Sequence, residues 1–318
     1  MTLLGAAALL AALFLTAAFL TDPYDTGRSP LHLKQGVRPQ GPRTAAASRG
    51  RDPSFNAAIF GNSHAQLLSP ERLDGPTGLT FVSLIAPATG PKEILTTMDW
   101  FLRHRSQAPK ALIVGVDTLW CTPDPQMPNS KPFPFWLFSR NVGDYLGGLM
   151  RYDLLEEVVR RVGYIMSPNP ARAPANGYWD YEAGYRDQGY EADPALRAKL
   201  SEIAEIGGGN VDGPFPAAAA LEKLMASAPA ETILILLRPP AYATALSRAG
   251  TRDAAADKAC RQTYADLTAR RPRTVLVDWR VDKPELHDSN LFFDHTHYRQ
   301  PIARLVEADI AEAIRKLD

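Results

Sequence analysis

Residues 56–64 read NAAIFGNSH, an apolar run that ends in a glycine–asparagine turn, a serine and a histidine. An unbroken apolar run of this length is typical of a β-strand that is covered on both faces, as in a parallel sheet. Ser63 then lies between a strand end and a predicted helix start, where serine also serves as a helix cap. The segment therefore predicts an α/β fold with a serine at the carboxyl end of its first strand, the edge at which such sheets bind ligands.

Further apolar runs follow the first, and helical patterns separate them. The predicted strands are Asn56–Gly61, Leu79–Leu84, Ala111–Val116, Thr232–Leu237 and Thr274–Asp278. The predicted helices are Pro91–Arg105, Pro216–Ala228, Ala254–Ala269 and Gln300–Leu317. This alternation predicts a doubly wound α/β domain built on a parallel five-stranded sheet.

Residues 119–215 interrupt the alternation, because the stretch is too long for a simple crossover between two strands. It holds an apolar helical part near Phe135–Met166 and an aromatic part that includes Trp179 and Tyr185. We interpret it as an insertion within a domain of residues 53–318, placed over the ligand-binding edge of the sheet.

The N-terminus is apolar, with no charged residue from Thr2 to Leu20. Nineteen helical residues span about 28 Å, roughly the thickness of one bilayer core. We predict a transmembrane anchor at residues 1–21; a cleaved signal peptide is the alternative, although no small-x-small cleavage site precedes Thr21. Residues 22–52 are rich in Pro, Gly, Arg and Ala without periodicity, which predicts a linker that is most flexible at 44–51.

Charge and cysteine content bear on location and partners. Lys+Arg and Asp+Glu balance at 35 each without a basic run, so we expect no nucleic-acid partner. Arg28, Lys34 and Arg38 follow the apolar segment, which by the positive-inside rule favours a cytoplasmic domain. Because that rule weakens for large downstream domains, we expect the domain to lie in the periplasm. There Cys121 and Cys260 can form a disulfide, and two unpaired thiols are the alternative.

The C-terminal sequence Asp294-His-Thr-His297 supplies what a reactive serine needs. His297 is the candidate base for Ser63, and Asp294 can hold its ring in the required tautomer. The alternatives are a helix-capping aspartate with a surface histidine, or a metal site that no further ligand cluster supports. His64, next to Ser63, is expected to line the pocket or cap the helix. We predict neither a metal nor a cofactor.

Two further residues are candidate substrate contacts. Arg238 follows the fourth predicted strand and can bind an anionic or polar group, or form a salt bridge beside the Pro-Pro turn. Trp179 and its neighbouring tyrosines can stack on sugar rings, or pack the insertion.

Taken together, these segments resemble the SGNH (GDSL-type) hydrolase superfamily, in particular membrane-anchored envelope proteins related to alginate O-acetylation proteins. The apolar N-terminus running into Thr21-Asp-Pro-Tyr24 is similar to theirs, as are the stretches IFGNSHAQLLSPERL (59–73), SLIAPATGPKEI (83–94), ALIVGVDTLW (111–120) and FFDHTHYRQPIA (292–303). The resemblance implies a flavodoxin-like SGNH fold, with Ser63 as nucleophile, His297 as base and Asp294 as its orienting acid. It covers most of the chain outside the insertion.

The resemblance also implies an oxyanion hole, and here the chain departs from the superfamily pattern. The second block implies the Gly90 amide as a donor, with Ala86–Thr89 as alternatives. In the third block Asp117 stands where the superfamily offers an asparagine, and an ionised carboxylate only accepts hydrogen bonds. Thr118 or backbone groups would then donate, or Asp117 would be protonated, or the hole would be incomplete. Asn62 replaces the usual aspartate of the first block.

The implied function is that of a serine esterase or O-acyltransferase acting on acyl esters of a cell-envelope glycan. The alternative is a non-catalytic glycan-binding or scaffolding subunit of an envelope polysaccharide assembly, and a lipid-directed esterase is a third reading. The expected location is the inner membrane, single-pass, with the envelope polysaccharide machinery as a partner.

Overall fold

The structure is a computed structural model, and it describes residues 3–128, 131–151, 153–204 and 209–318. Its strands are β1 Ala57–Phe60, β2 Phe81–Ser83, β3 Ala111–Gly115, β4 Ile233–Arg238 and β5 Thr274–Asp278. They form one sheet in the order β2-β1-β3-β4-β5, and every neighbouring pair is parallel. The prediction of an α/β fold with a parallel five-stranded sheet is confirmed. This strand order is that of flavodoxin-like sheets, which bind ligands where β1 meets β3.

Helices precede, connect and follow these strands. They are α1 Leu3–Thr21, α2 Pro42–Arg51, α3 Pro70–Thr77, α4 Pro91–Arg103, α5 Phe135–Phe138, α6 Val142–Leu149, α7 Leu154–Met166, α8 Glu182–Asp187, α9 Pro194–Ala198, α10 Pro216–Ala226, α11 Arg252–Arg270 and α12 Gln300–Leu317. The predicted helices that follow β2, precede β4, precede β5 and end the chain correspond to α4, α10, α11 and α12.

Both faces of the sheet are covered, because alternate residues of each strand point to opposite sides. Ala58 and Phe60 of β1 join a core with side chains of α4, α10 and α11. Ala57 and Ile59 join the opposite core with side chains of α3 and α12. All residues of the three central strands are buried, which explains why they read as unbroken apolar runs.

Helix α1 stands apart from this core along most of its length. Leu3, Leu4 and Leu10 are 87%, 82% and 68% exposed, and Ala18 is the residue of α1 that is buried. Among the described helices, α1 is the one that is long and apolar enough to cross a membrane. It is consistent with single-pass membrane anchoring.

The prediction that residues 44–51 are a flexible part of a linker is wrong, because they belong to α2. Ala45 and Ala47 are fully buried, and Trp100 of α4 donates its indole N–H to the Ala47 carbonyl at 2.9 Å. The packed face of α2 consists of small residues, so it carries no large apolar side chains that would reveal a helical period. Residues 22–52 therefore include a helix that is part of the domain.

The stretch between β3 and β4 contains α5 to α9. Helices α5, α6 and α7 fall within the predicted helical part, and α8 lies within the aromatic part and contains Tyr185. The disulfide between Cys121 and Cys260 joins the segment directly after β3 to α11, so the two cysteines are paired rather than free.

Candidate active site

Ser63 follows β1 after two residues, at the start of the 3-10 helix Ser63–Ala65. Asn62 is buried, and its side-chain oxygen accepts the His64 amide at 3.0 Å, which starts this helix. Gly61 makes the tight approach possible, because a Cβ atom there would lie 3.1 Å from the Cβ of Ala65. We call residues 61–63 the serine turn; it fixes Ser63 at the carboxyl end of β1, as predicted.

Asp294 and His297 lie in the turn before α12, and the turn is built around the aspartate. Asp294 Oδ1 accepts the amides of Thr296 and His297, each at 2.8 Å. Asp294 Oδ2 then lies 2.8 Å from His297 Nδ1, which can donate to it. Burial by itself raises the pKa of the Asp294 carboxyl, but the His297 ring and the two amides outweigh it and hold that pKa well below its ordinary value.

The two pieces meet across the edge of the sheet. His297 Nε2 lies 2.9 Å from Ser63 Oγ, within hydrogen-bond reach. The ionised Asp294 accepts from Nδ1, so a neutral His297 carries its proton there and offers the lone pair of Nε2 to the serine hydroxyl. Ser63, His297 and Asp294 therefore form one hydrogen-bonded chain, with the geometry that acyl transfer by a serine requires.

His64 forms a second histidine–aspartate pair beside this chain, and sequence reasoning missed it. His64 Nδ1 lies 2.9 Å from Asp117 Oδ2, and the His64 ring centroid is 5.4 Å from that of His297. The pairing crosses from β1 to β3, which are neighbours in the sheet and distant in sequence. The departure from the superfamily pattern at Asp117 was the one signal in the sequence that pointed to it.

Asp117 is buried and fully engaged. It accepts the Asn62 side-chain amide at 2.6 Å and the Leu119 amide at 2.9 Å, in addition to His64. Burial raises the pKa of Asp117, but the hydrogen bonds from His64, Asn62 and Leu119 outweigh it and leave that pKa below its ordinary value. An ionised Asp117 therefore holds the serine turn and His64, and it is not an oxyanion donor.

The prediction that the Gly90 amide donates to the oxyanion is wrong in this structure. Gly90 is the N-cap of α4, and its amide donates to Glu93 Oε2 at 3.0 Å. The Ala86 amide, one of the alternatives, donates to the Gly61 carbonyl at 3.1 Å. The Ser63 amide donates to no hydrogen-bond partner within the described residues. It remains a candidate donor to the oxyanion. Thr118 begins the 3-10 helix Thr118–Cys121, and its role as a donor stays a prediction.

Aromatic residues of the insertion pack against His297. The ring centroids of Tyr181 and Tyr185 lie 5.5 Å and 5.0 Å from that of His297. Burial raises the pKa of both phenols, so they stay protonated at neutral pH. Tyr181 is buried and Tyr185 is half-buried, and the two rings form a wall beside His297. Trp179 is 57% exposed, and its role in binding stays a prediction.

Arg238 does not face a ligand, contrary to the predicted substrate contact. It is 1% exposed and donates to Asp257 and, at 3.0 Å, to Asp278 Oδ2. The reason is its position at the end of the central strand β4, where α11 and β5 supply carboxylates that pair with the buried cation. The alternative, a salt bridge, is what forms, and it is buried rather than on the surface.

Within the described residues, no group of three or more His, Cys, Asp or Glu side chains is arranged to hold a metal ion. His295 donates from Nε2 to the Glu202 carbonyl at 3.0 Å. Its ring is therefore paired with Glu202, and His297 is the histidine that faces Ser63.

The fold and the site together define an α/β protein with a serine–histidine–aspartate triad at the edge of a parallel sheet. No protein-family model matches the chain, and no curated protein matches it.

Proposed function

We propose that the protein is a membrane-anchored serine ester hydrolase or O-acyltransferase of the SGNH (GDSL-type) kind. The observation that carries the proposal is the hydrogen-bonded chain from Ser63 Oγ through His297 to Asp294. A serine that only caps a helix needs no histidine partner. Ser63 faces a histidine, and an ionised carboxylate orients that histidine. The position of Ser63 where β1 meets β3 in a 2-1-3-4-5 sheet also supports a ligand site.

The chemistry proceeds in two steps. Ser63 Oγ attacks the carbonyl carbon of an ester while His297 Nε2 takes the serine proton, and Asp294 stabilises the resulting imidazolium. His297 then gives the proton to the leaving alcohol, and the acyl group remains on Ser63 as an ester. In the second step His297 takes a proton from water or from an acceptor hydroxyl, whose oxygen attacks the acyl carbonyl. The bond between the acyl carbon and Ser63 Oγ then breaks, and His297 returns the proton to Ser63 Oγ.

The proposed substrate is an acylated cell-envelope glycan, with a periplasmic domain held at the inner membrane by α1. The disulfide between Cys121 and Cys260 supports this compartment, because disulfides persist in the bacterial periplasm and are rare in the cytosol. The apolar length of α1 supports the anchor. An envelope polysaccharide assembly is the proposed partner, and the exposed Trp179 is the candidate sugar contact.

A fluorophosphonate probe tests the proposal, because it reacts with serines that a neighbouring base activates. We expect the intact protein to be labelled at Ser63, and the Ser63→Ala and His297→Ala variants to remain unlabelled. Ser69→Ala is a matched control, since Ser69 caps α3 and accepts the Arg72 amide at 3.4 Å without a histidine partner. Absence of labelling in the folded wild type, or equal labelling of Ser63→Ala, would remove the enzyme proposal.

The second candidate function is a non-catalytic glycan-binding or scaffolding subunit of the same assembly. It is favoured by the state of the expected oxyanion donors, since the Gly90 amide is occupied by Glu93 and Asp117 only accepts. Losing one such donor lowers the rate by about 10²–10³ in a studied protease. Glycan binding that survives both Ser63→Ala and His297→Ala, without fluorophosphonate labelling of the wild type, would favour this function.

A further inference from the structure

Helix α7 exposes a row of large apolar side chains. The row consists of Leu155, Val159, Val162 and Met166, which are 56%, 65%, 38% and 78% exposed. Their spacing of three or four residues places them along one side of the helix. We call this row the α7 stripe. The neighbouring side of the helix, at Leu154 and Val158, is buried in the core. Helix α7 therefore has two apolar sides, and the rest of the described chain leaves the α7 stripe uncovered.

Exposed apolar side chains are concentrated in this region. More than half of the large exposed apolar residues outside α1, in the part of the chain that the structure describes, lie between residues 142 and 166. The others, such as Leu31 and Leu305, are scattered singly, which is normal for a protein surface. A contiguous apolar row on a helix instead marks contact with another apolar phase or surface.

The α7 stripe belongs to a helix that packs against the membrane helix. Helices α6 and α7 both contact α1. Arg161 of α7 donates to the Thr21 carbonyl at the end of α1 at 3.3 Å. Phe14 and Leu15 pack against the core to which α6 and α7 contribute Leu149 and Leu154.

This packing sets the depth of the domain relative to a bilayer. Phe14 lies seven residues before Thr21, which is about 10 Å along the helix axis. Because α1 needs nearly all of its residues to span the hydrocarbon layer, the level of Phe14 is inside that layer. Helices α6 and α7, which pack against α1, are therefore placed next to the membrane surface.

Basic side chains lie at the level where α1 ends. A cavity of about 430 Å³ beside Phe19 is lined by Arg28, Arg103 and Arg140, among others. Arg103 and Arg140 both pair with Asp99, and Arg28 donates to the Ser139 carbonyl, so this cluster is polar without being an uncompensated positive patch. Apolar side chains on α7 and polar side chains near Phe19 are thus arranged as in interfacial helices, whose apolar side enters the acyl-chain boundary.

We infer that α7 lies in the membrane surface, with the α7 stripe buried at the acyl-chain boundary of the leaflet from which α1 emerges. The bilayer is the occupant of this surface because α7 packs directly against α1, the helix that is long and apolar enough to span it. The domain is then held against the membrane by two contacts, and its orientation relative to the membrane is fixed. This inference rests on α1 spanning the bilayer and is independent of catalysis at Ser63.

Spin-label accessibility on the full chain tests the inference. The protein is reconstituted into vesicles of phosphatidylglycerol and phosphatidylcholine, with a nitroxide on Val159→Cys. The native cysteines are paired and do not react with the label. Collision with oxygen reports the apolar layer, and collision with a water-soluble nickel chelate reports solvent. We expect several-fold greater accessibility to oxygen than to nickel at Val159.

Two controls define the outcome. Leu305→Cys carries the label on an exposed leucine of α12, 42% exposed, and should show the reverse preference. Glu156→Cys carries it on the polar side of α7 and should be more accessible to nickel than Val159. A Val159 label that behaves like the Leu305 label would overturn the inference. So would a Val159 label shielded from both reagents, because that result means that protein, a second copy or a partner, covers the α7 stripe.

Discussion

Replacing Asp294 by asparagine should stop turnover while preserving the turn, because the structure determines how the amide must sit. Asp294 Oδ1 accepts the amides of Thr296 and His297 at 2.8 Å each. The carbonyl oxygen of an asparagine therefore has to occupy this place. Both carboxylate oxygens lie near His297 Nδ1, Oδ2 at 2.8 Å and Oδ1 at 2.9 Å, and the NH₂ group takes the place of Oδ2, so the variant offers Nδ1 a donor at the shorter of its two contacts.

This reversal changes the tautomer of the histidine. An NH₂ group that donates to Nδ1 makes it an acceptor, so the proton of the neutral ring moves to Nε2. His297 Nε2 faces Ser63 Oγ at 2.9 Å and, once protonated, does not accept the serine proton. The equivalent change in a serine protease lowers kcat by about 10⁴. At about 1.36 kcal/mol for each factor of ten, that is about 5.4 kcal/mol of transition-state stabilisation.

We expect a loss of the same order in the second-order rate of fluorophosphonate labelling and in p-nitrophenyl acetate hydrolysis. Asp288→Asn is the matched control: Asp288 accepts the Asn290 amide at 2.8 Å in an exposed turn, and an asparagine oxygen can keep that bond. Its rates and its thermal unfolding should equal those of the wild type, and Asp294→Asn should still unfold in one cooperative transition. An Asp294→Asn rate within tenfold of the wild type would refute the proposed role of the tautomer.

Three further changes test the surroundings of the site. Asp117→Asn places an NH₂ group against the Asn62 amide, a donor facing a donor, and should lower the urea-unfolding free energy by about 1–3 kcal/mol; an unchanged midpoint would contradict this. The double variant Cys121→Ala, Cys260→Ala opens a loop with a sequence separation of 139. It should be less stable by about 4–5 kcal/mol in urea unfolding, and a difference below about 1 kcal/mol would be inconsistent with this role. Arg238→Met removes the buried cation, but Arg261 still contacts Asp257 and Asp278, so the protein should be less stable by about 1.5–3 kcal/mol. KM should be unchanged, and a raised KM would indicate that Arg238 contacts the substrate after all.

The sheet could be predicted from the sequence because its central strands are covered on both faces. Burial on both sides makes β3 and the first five positions of β4 apolar, and such runs are visible without any knowledge of their neighbours. Helix α2 escaped prediction for the opposite reason. Its buried side is made of Ala45, Ala46 and Ala47, which carry little apolar contrast against the polar residues around them.

The positions of Ser63, His297 and Asp294 were predictable from the sequence. Whether the expected oxyanion donors are free or already hydrogen-bonded was not. Ser63 follows a strand and His297 precedes a helix, and both positions can be read along the chain. The partner of the Gly90 amide is the side chain of Glu93, and a glycine at a helix start gives no sign of whether its amide is occupied. The bond from His64 to Asp117 joins residues that follow the neighbouring strands β1 and β3, so it depends on the strand order.

The same strand order connects the disulfide to the serine turn. Asp117 caps the 3-10 helix that ends at Cys121, and the bond to Cys260 ties that helix to α11. Both His64 and Asn62 depend on Asp117 for a hydrogen bond. A shift of this short helix would therefore move the residues on either side of Ser63. An oxidising compartment would thus act on the site as well as on stability, since it keeps the support of Asp117 covalently fixed.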